Sequence, residues 1–401
     1  MQIHRLTAFH VPIALRRPVR HASFTRTDND TLLIRCVLRD GSIGWGEGLP
    51  RTYVTGESID SAWQQLAQTN LAGLADARFT VPFDAADAVS RLPLHPADPT
   101  LHTDLRECFG NSVRCALELA LLDATGRSCG RPLADLIREH PEFTGISQFT
   151  SSVRYSGVIT SQSPAAQLLS ALKMRLFGFQ QIKVKVGAAG LSDSACLARI
   201  RTVLGPHRGL RLDANEAWHC ETLREQIEPL LRFHPQSLEQ PVPHGEVAGL
   251  AEVRRQFLQP AGLPVMLDES LCCVEDAERA IAGQWCDAFN IRLSKCGGIL
   301  RSLQIVRLAR RHGIRCQLGC QVGETGILSA AGRHFACSVS DLWFLEGSFD
   351  RFLVRDRLTE QDLTFGRGGR AFSLLEPGLS VTVDECRVRQ LAKRTLELHP
   401  G

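Results

Sequence analysis

Five charged residues recur at a nearly constant interval through the middle of the chain. Lys185, Asp213, Glu239, Asp268 and Lys295 follow one another at spacings of 28, 26, 29 and 27 residues. They fall at or just beyond the ends of short apolar runs: QIKVKV, LRLDA, SLEQP, PVMLDE and AFNIRL. A period of about 27 residues fits one strand, one helix and their loops, so the chain is laying down parallel strands joined by helical crossovers. VRYSGVI before this set, and RCQLG and DLWFLE after it, bring the strands to eight. Amphipathic stretches lie between them, among them SPAAQLLSALKMRLFG, DSACLARIRTVLG, CETLREQIEPLLRF, VAGLAEVRRQFL, GILRSLQIVRLARRHG and GILSAAGRHFACSV. Eight such units predict a closed α/β barrel of the (β/α)8 or TIM type rather than an open sheet.

In the second run, Ile182, Val184 and Val186 alternate with Lys183 and Lys185. Strand side chains alternate faces, so both lysines point to one side, and in a barrel that side is the interior. The C-terminal strand ends form one rim, where active sites of this fold are built. Consecutive strands therefore bring Lys183 and Lys185, then Asp213, Glu239 and Asp268, then Lys295 to one mouth. Three converging carboxylates repel and take up protons unless a cation sits between them. Oxygen ligands on rigid strand ends suit Mg2+, with Mn2+ an acceptable substitute. A lysine beside a metal and a second ammonium has its pKa pushed down, which makes it a base near neutral pH. Lys185 and Lys295, from the second and sixth strands, are expected to face each other across the mouth. Any one of these groups alone reads as a helix cap, an ion pair or a solvated side chain. The ordered set, one element per unit, is what points to chemistry.

Before the barrel, IHRLTAFHVPIAL and DTLLIRCVLRDGSIGWGEGLP predict a meander turning at Asp40-Gly41, and SIDSAWQQLAQTNLAGL and NSVRCALELALLDATGR predict helices. The expected division is an α+β capping domain over 1–125, a barrel over 126–370, and a segment over 371–401 that packs back on the capping domain. The tail PGLSVTVDECRVRQLA reads as strand. A net charge of +3 from 46 basic and 43 acidic residues, with no basic block interleaved with aromatics, argues against a nucleic-acid partner. No run has the length and apolarity of a membrane span or an export signal, so a cytoplasmic setting is expected. The fourteen cysteines, including Cys272-Cys273 and Cys316/Cys320, then read as buried small hydrophobes rather than disulfides or zinc ligands.

The ordered K-x-K, D, E, D, K set resembles that of the enolase superfamily, in its muconate-lactonizing-enzyme (mandelate racemase/muconate cycloisomerase-like) subgroup. The likeness runs through GWGEG, RCALELALLDATGRSCGRPL, DAN, LEQP, DES, KCGG and PGLSV. It implies Asp213, Glu239 and Asp268 as ligands of Mg2+, Lys185 and Lys295 as the acid/base pair, and Lys183 as a helper beside Lys185. Asn215 and Glu269 would stand beside the metal or substrate. The implied chemistry is removal of a proton α to a carboxylate, giving an enediolate held by the metal. Racemisation or epimerisation is the favoured outcome, with cycloisomerisation or β-elimination through the same intermediate as the alternative. A Schiff-base lysine aldolase and a non-catalytic binding protein are the rivals outside that chemistry. The expected partner is a small carboxylate substrate, and a homo-oligomer is expected.

Dipeptide-epimerising members of the subgroup carry an Asp-x-Asp pair on the eighth strand, which holds the substrate ammonium. Here Phe344 and Glu346 stand at those positions, so the dipeptide signature is absent, although a single glutamate leaves a case for a cationic substrate group. Glu324 in the seventh-strand stretch QLGCQVGETG is a further substrate-facing candidate. The family's capping loops close over the mouth; here they are RHASFTRTD, with His21 and Arg26, and RTYVT, with Tyr53.

Overall fold

The computed structural model describes residues 1–20, 25–96, 106–160 and 163–399, with only the backbone described at 19, 20, 25 and 26. His21 and the Arg26 side chain therefore lie outside the described residues. The chain opens with an antiparallel meander, Ile3–Arg20, Thr25–Leu38 and Ile43–Gly48, turning at Asp40 and Gly41. Gly41 supplies the left-handed φ of 89° that this turn needs, and Asp40 Oδ1 accepts from the Ser42 amide at 2.9 Å.

The long helix Asn111–Ser128 lies across this sheet. The glycines of GWGEG explain how closely. A Cβ on Gly46 would sit 2.0 Å from the Ala116 carbonyl oxygen, and Gly44 and Gly48 meet Ala124 and Ser112 in the same way. Strand and helix backbones thus pack with no side chain between them.

The stretch expected as one helix from Ser58 to Leu74 is broken. Ile59–Gln68 ends where the Thr69 hydroxyl bonds the Gln65 carbonyl at 2.7 Å, and a short helix Ala72–Ala75 follows. Between them Asn70 Oδ1 accepts from the Ala72 amide, the turn geometry that asparagine favours.

The barrel strands are Gly157–Ile159, Gln181–Lys185, Gly209–Asp213, Leu238–Glu239, Val265–Leu267, Ala288–Ile291, Arg315–Leu318 and Leu342–Leu345, parallel and paired in chain order. The Ser156 amide donates to the Leu345 carbonyl at 2.8 Å and joins the eighth strand to the first. The fold is thus a (β/α)8-type barrel with an N-terminal α+β cap. The run expected as the first strand is divided: Ser152–Arg154 pairs instead with Arg370–Phe372 in a separate ribbon, and only Gly157–Ile159 enters the barrel. Ile182, Val184 and Val186 are buried in the main core, each worth roughly 1.5–3 kcal/mol of apolar burial.

The crossover helices Pro164–Phe177, Asp193–Leu204, Ile299–Arg311 and Gly326–Ser338 match the amphipathic stretches. The two crossovers after the third and fourth strands are mixed, each a short α-helix joined to 3-10 or π turns. The tail departs from expectation. Asp384 caps a helix Glu385–Leu391, accepting from the Arg387 amide at 2.9 Å. The strand comes later, as Arg394–His399, antiparallel to Ile3–Arg20. All fourteen cysteines are free thiols, most of them buried. Among the described residues no helix is long and apolar enough to cross a membrane.

Candidate active site

Lys185, Asp213 and Glu239 are the last residues of three adjacent strands, and the register makes Lys185 the partner of Asp213 and Asp213 the partner of Glu239. Asp268 follows the fifth strand directly. Position along the chain alone therefore sets the three carboxylates side by side. All three are buried, at 1% exposure or less.

Lys183 sits among them. Its Nζ lies 3.2 Å from both Asp213 Oδ2 and Glu239 Oε1, and 2.9 Å from Glu346 Oε2. Burial alone would lower its pKa, but Glu239, Glu346 and Asp213 outweigh burial and raise it, so Lys183 is a fixed ammonium. For Asp213, burial opposes ionisation, yet Lys183, Lys185 and Arg292 prevail and hold its pKa down to about 2. Glu239 goes the other way: burial, with Asp213 and Glu346 nearby, raises it despite Lys183. A cluster in which one carboxylate is driven toward protonation is short of positive charge. An all-oxygen donor set with that deficit fits a hard divalent cation.

Lys185 is the more open of the two strand lysines, with 29% of its side chain exposed. It donates to Asn215 Oδ1 and stands 4.0 Å from Asp213 Oδ2. Asn215 in turn donates to Glu269 Oε1 at 3.2 Å. Asn215, two residues past Asp213, and Gln240, immediately past Glu239, adopt φ of 45° and 36°, strain of the kind that gathers at functional sites. Gln240 also holds the loop that carries Asp268, its Oε1 accepting from the Asp268 amide at 2.9 Å.

Lys295 is displaced from its expected place. The sixth strand ends at Ile291, and Lys295 rides on a one-turn helix, Leu293–Cys296, closed by Gly297 and Gly298. A side chain on Gly298 would strike the Glu118 carboxylate at 2.6 Å. Lys295 is fully buried, and Nζ donates to the Asp268 carbonyl at 2.6 Å, Asp268 Oδ1 at 2.9 Å and the Asn290 carbonyl at 2.8 Å. Burial, reinforced by the Arg292 charge, lowers its pKa below that of an ordinary lysine.

The remaining candidates are spread around this centre. Glu346 is buried, and its second oxygen accepts from Arg211 Nη2 at 3.0 Å. Phe344 packs under the Arg211 guanidinium at 4.3 Å. Glu324 is half-buried and accepts from the Gln321 amide at 2.7 Å, and burial pushes its pKa up to about 8. Tyr53 packs against Val54, Cys108, Cys272 and Cys273. Arg106 pins that capping loop to the rim by donating to the carbonyls of Val54 at 3.0 Å and Glu269 at 2.8 Å. Glu107, Cys273 and Asp276 also bring ligand atoms within 4.8 Å of one another. Their carboxylates are already engaged by Arg106 and Arg279.

Sequence reasoning missed Arg211, Arg292, Asn290 and Gln317. Arg211 lies two residues before Asp213, so strand alternation alone would have sent it inward. Asn290 donates to Glu239 Oε1 at 2.9 Å, and Gln317 accepts from Arg211.

A family model described as Enolase C-terminal domain-like matches residues 166–387, and one described as Mandelate racemase / muconate lactonizing enzyme, N-terminal domain matches residues 3–138. The chain belongs to the enolase superfamily. A D-Ala-D/L-Ala epimerase of Cytophaga hutchinsonii is 30% identical over 320 residues, covering 80% of this chain and 79% of that protein. An N-succinyl-L-Arg/Lys racemase of Bacillus cereus is 25% identical over 400 residues, 96% of this chain and 98% of its own. A muconate cycloisomerase of Rhodococcus opacus is 28% identical, with 94% of each chain covered. The solved structure of the B. cereus racemase superimposes with a TM-score of 0.84 at 23% identity over 99% of this chain and 100% of that one. These named relatives are isomerases.

Proposed function

We propose that this protein is a divalent-metal-dependent racemase or epimerase that moves a proton at the carbon α to a carboxylate. The observation that carries the reading is the pairing of two lysines with three adjacent buried carboxylates. Lys185 stands beside Asp213 and partly open, while Lys295 lies buried on Asp268. Asp213, Glu239 and Asp268 would hold Mg2+, with Mn2+ accepted in its place. Support for Mg2+ comes from the C. hutchinsonii dipeptide epimerase, solved with Mg and a dipeptide. When bound, the ion offsets the negative charge that develops on the substrate carboxylate.

Lys185, hydrogen-bonded to Asn215, removes the α-proton from the face it meets. Lys295 returns a proton to the other face. All three of its N–H groups are donated within the protein, to Asp268 and Asn290, so the transfer requires one of these bonds to open, and burial then makes it a better proton donor than a solvated lysine. In the reverse direction the two exchange roles. Cycloisomerisation is the second reading, favoured by the full-length likeness to the R. opacus enzyme.

The substrate is a carboxylate without a free ammonium near the eighth strand, such as an N-acylated amino acid. Glu346 is engaged by Lys183 and Arg211, so its charge is already matched inside the barrel. Burial favours the neutral form of Glu324 by raising its pKa to about 8, which weakens it as a counter-charge for an ammonium. The full-length likeness to an N-succinyl amino acid racemase supports this choice. The test is incubation of single enantiomers of N-acyl amino acids and of matched free-amine dipeptides in deuterated water with Mg2+. Loss of optical activity with α-deuteration of the N-acyl series is expected. Efficient epimerisation of the free-amine dipeptides alone would refute the substrate assignment. A cyclised product would establish the second reading.

A further inference from the structure

We propose that Arg292 and the divalent ion are alternative occupants of the same carboxylate oxygens, so that metal entry drives the Arg292 guanidinium off Asp268. The inference rests on the metal reading above and concerns a residue that lies outside the 27-residue comb of strand-end charges. Arg292 follows the sixth strand directly and precedes the turn that carries Lys295. Only 11% of its side chain is exposed. Its Nη2 donates to Asp268 Oδ2 and lies 3.9 Å from Glu239 Oε1, while Nε is buried with no hydrogen-bond partner.

Lys185 stands off at 4.0 Å from Asp213 Oδ2 and would keep Asn215, and the three cations in closer contact with this cluster differ in what they would keep once an ion took the ligand oxygens. Lys183 would keep Glu346, which is not among the proposed ligands. Lys295 would keep two backbone carbonyls, those of Asp268 and Asn290. Among the described residues, Arg292 has ion pairs only with Asp268 and Glu239, both proposed ligands. A divalent ion coordinated at about 2.0–2.1 Å by an oxygen that also accepts from a guanidinium would place like charges within a few ångströms of each other in a buried site. Arg292 is therefore the cation that leaves. Its job is positioning: it keeps Asp268 and Glu239 compensated, and it sets how strongly an ion must bind to take them.

The experiment is calorimetric titration of Mn2+ into the full chain and into Arg292→Met, without substrate, with Arg292→Lys as the charge-retaining control. Removing the competitor should tighten Mn2+ binding by roughly 10- to 100-fold, the span that one charged hydrogen bond represents. Arg292→Lys should remain closer to the wild type. A residue that merely braced the loop would, when removed, leave the affinity unchanged or weaken it, and either result overturns the proposal. Should Arg292→Met not fold, the crystal structure of the wild-type protein soaked in Mn2+ decides. An anomalous peak on Asp268 with the guanidinium moved away supports the proposal, and a peak with the guanidinium still bonded to Asp268 overturns it. Failure of every form to bind Mn2+ would instead refute the metal reading itself, and this proposal with it.

Discussion

Replacing Glu346 by Gln separates two roles for one carboxylate: counter-ion inside the barrel, or contact for a substrate ammonium. In the structure its two oxygens are divided between Arg211 at 3.0 Å and Lys183 at 2.9 Å. After Glu346→Gln, Lys183 still has Asp213 and Glu239 at 3.2 Å each. Arg211 loses its carboxylate and is left with the Gln317 amide and the Phe344 ring. Breaking one side of a buried ion pair costs roughly 3–5 kcal/mol, and the contacts that Arg211 retains place this case at the lower end, about 3 kcal/mol. At about 2.1 cal/mol/K per residue, a chain of 401 residues has an unfolding entropy of roughly 0.8 kcal/mol/K, so Tm should fall by about 4 °C in a calorimetric scan at pH 7. The effect has a pH signature. Burial would raise the Glu346 pKa, but Lys183 and Arg211 outweigh it and hold it below the ordinary 4.5. Its contribution to stability is therefore complete above pH 4.5 and fades as pH falls through the lower folded value. The gap between wild type and variant should close in acid. An unchanged Tm at pH 7, joined to a selective loss of activity on free-amine substrates, would refute the counter-ion role and assign Glu346 to the substrate.

Lys185→Ala and Lys295→Ala should each lose at least about 100-fold in net conversion, the lower range for an acid/base group. Each should still exchange the α-proton of the one enantiomer that presents it to the surviving lysine, read by NMR in deuterated water, and full turnover by Lys295→Ala would exclude the two-base scheme. Glu239→Gln should weaken Mg2+ binding by at least about 100-fold in a calorimetric titration, since partners outside the ligand set are already worth about 10–100-fold; an unchanged affinity would remove Glu239 from the ligands. Gly46→Ala should destabilise by about 3 kcal/mol, the upper range for overpacking, because its Cβ would meet the Ala116 carbonyl at 2.0 Å and only a shift of the whole helix relieves that. A denaturation midpoint equal to that of the wild type would show that the strand and helix are not locked together as described.

The barrel and its strand-end carboxylates were legible because each is a local fact repeated at a fixed interval. An apolar run ends in a charged residue, and the closed sheet brings those ends together regardless of the intervening helices. Lys183 and Lys185 were legible as a pair through strand alternation, and Arg211 was equally accessible by the same parity. Arg292 was accessible too, since it shares the parity of Asn290 in the run AFNIRL and follows the sixth strand as directly as Asp268 follows the fifth. Lys295 kept its interval but not its element, since the chain leaves the sheet at Ile291 and turns into a single helical turn. The tail was misread because its apolar alternation, LSVTV, precedes rather than forms the strand. Pairing with the first strand selects Arg394–His399 instead.

What sequence period could not carry is the dependence of the rim on the cap, which joins residues far apart in the chain. Asn111, at the start of the long capping helix, donates to the carbonyls of Lys295 and Cys272, both at 2.8 Å, and so fixes the turn that aims the Lys295 ammonium. About two turns further along, Glu118 accepts from the Ile299 and Leu300 amides, capping the helix that follows that turn. Glu47 of GWGEG accepts from the Thr325 and Leu328 amides at 2.9 Å and does the same for the helix after Glu324. Burial raises the pKa of Glu118 to about 8 and of Glu47 to about 7, so the cap carries two costly acids where an apolar packing would be simpler. Their recipients explain why: each holds the start of a barrel helix whose preceding loop bears a site residue, Lys295 in one case and Glu324 in the other. A lysine that must meet one face of a carbon atom needs placement to within about half an ångström. Bolting the rim to the cap supplies that precision, so under the proposed two-lysine scheme the cap serves the acid/base pair through the backbone it holds and not only through the Tyr53 loop that Arg106 ties to the rim.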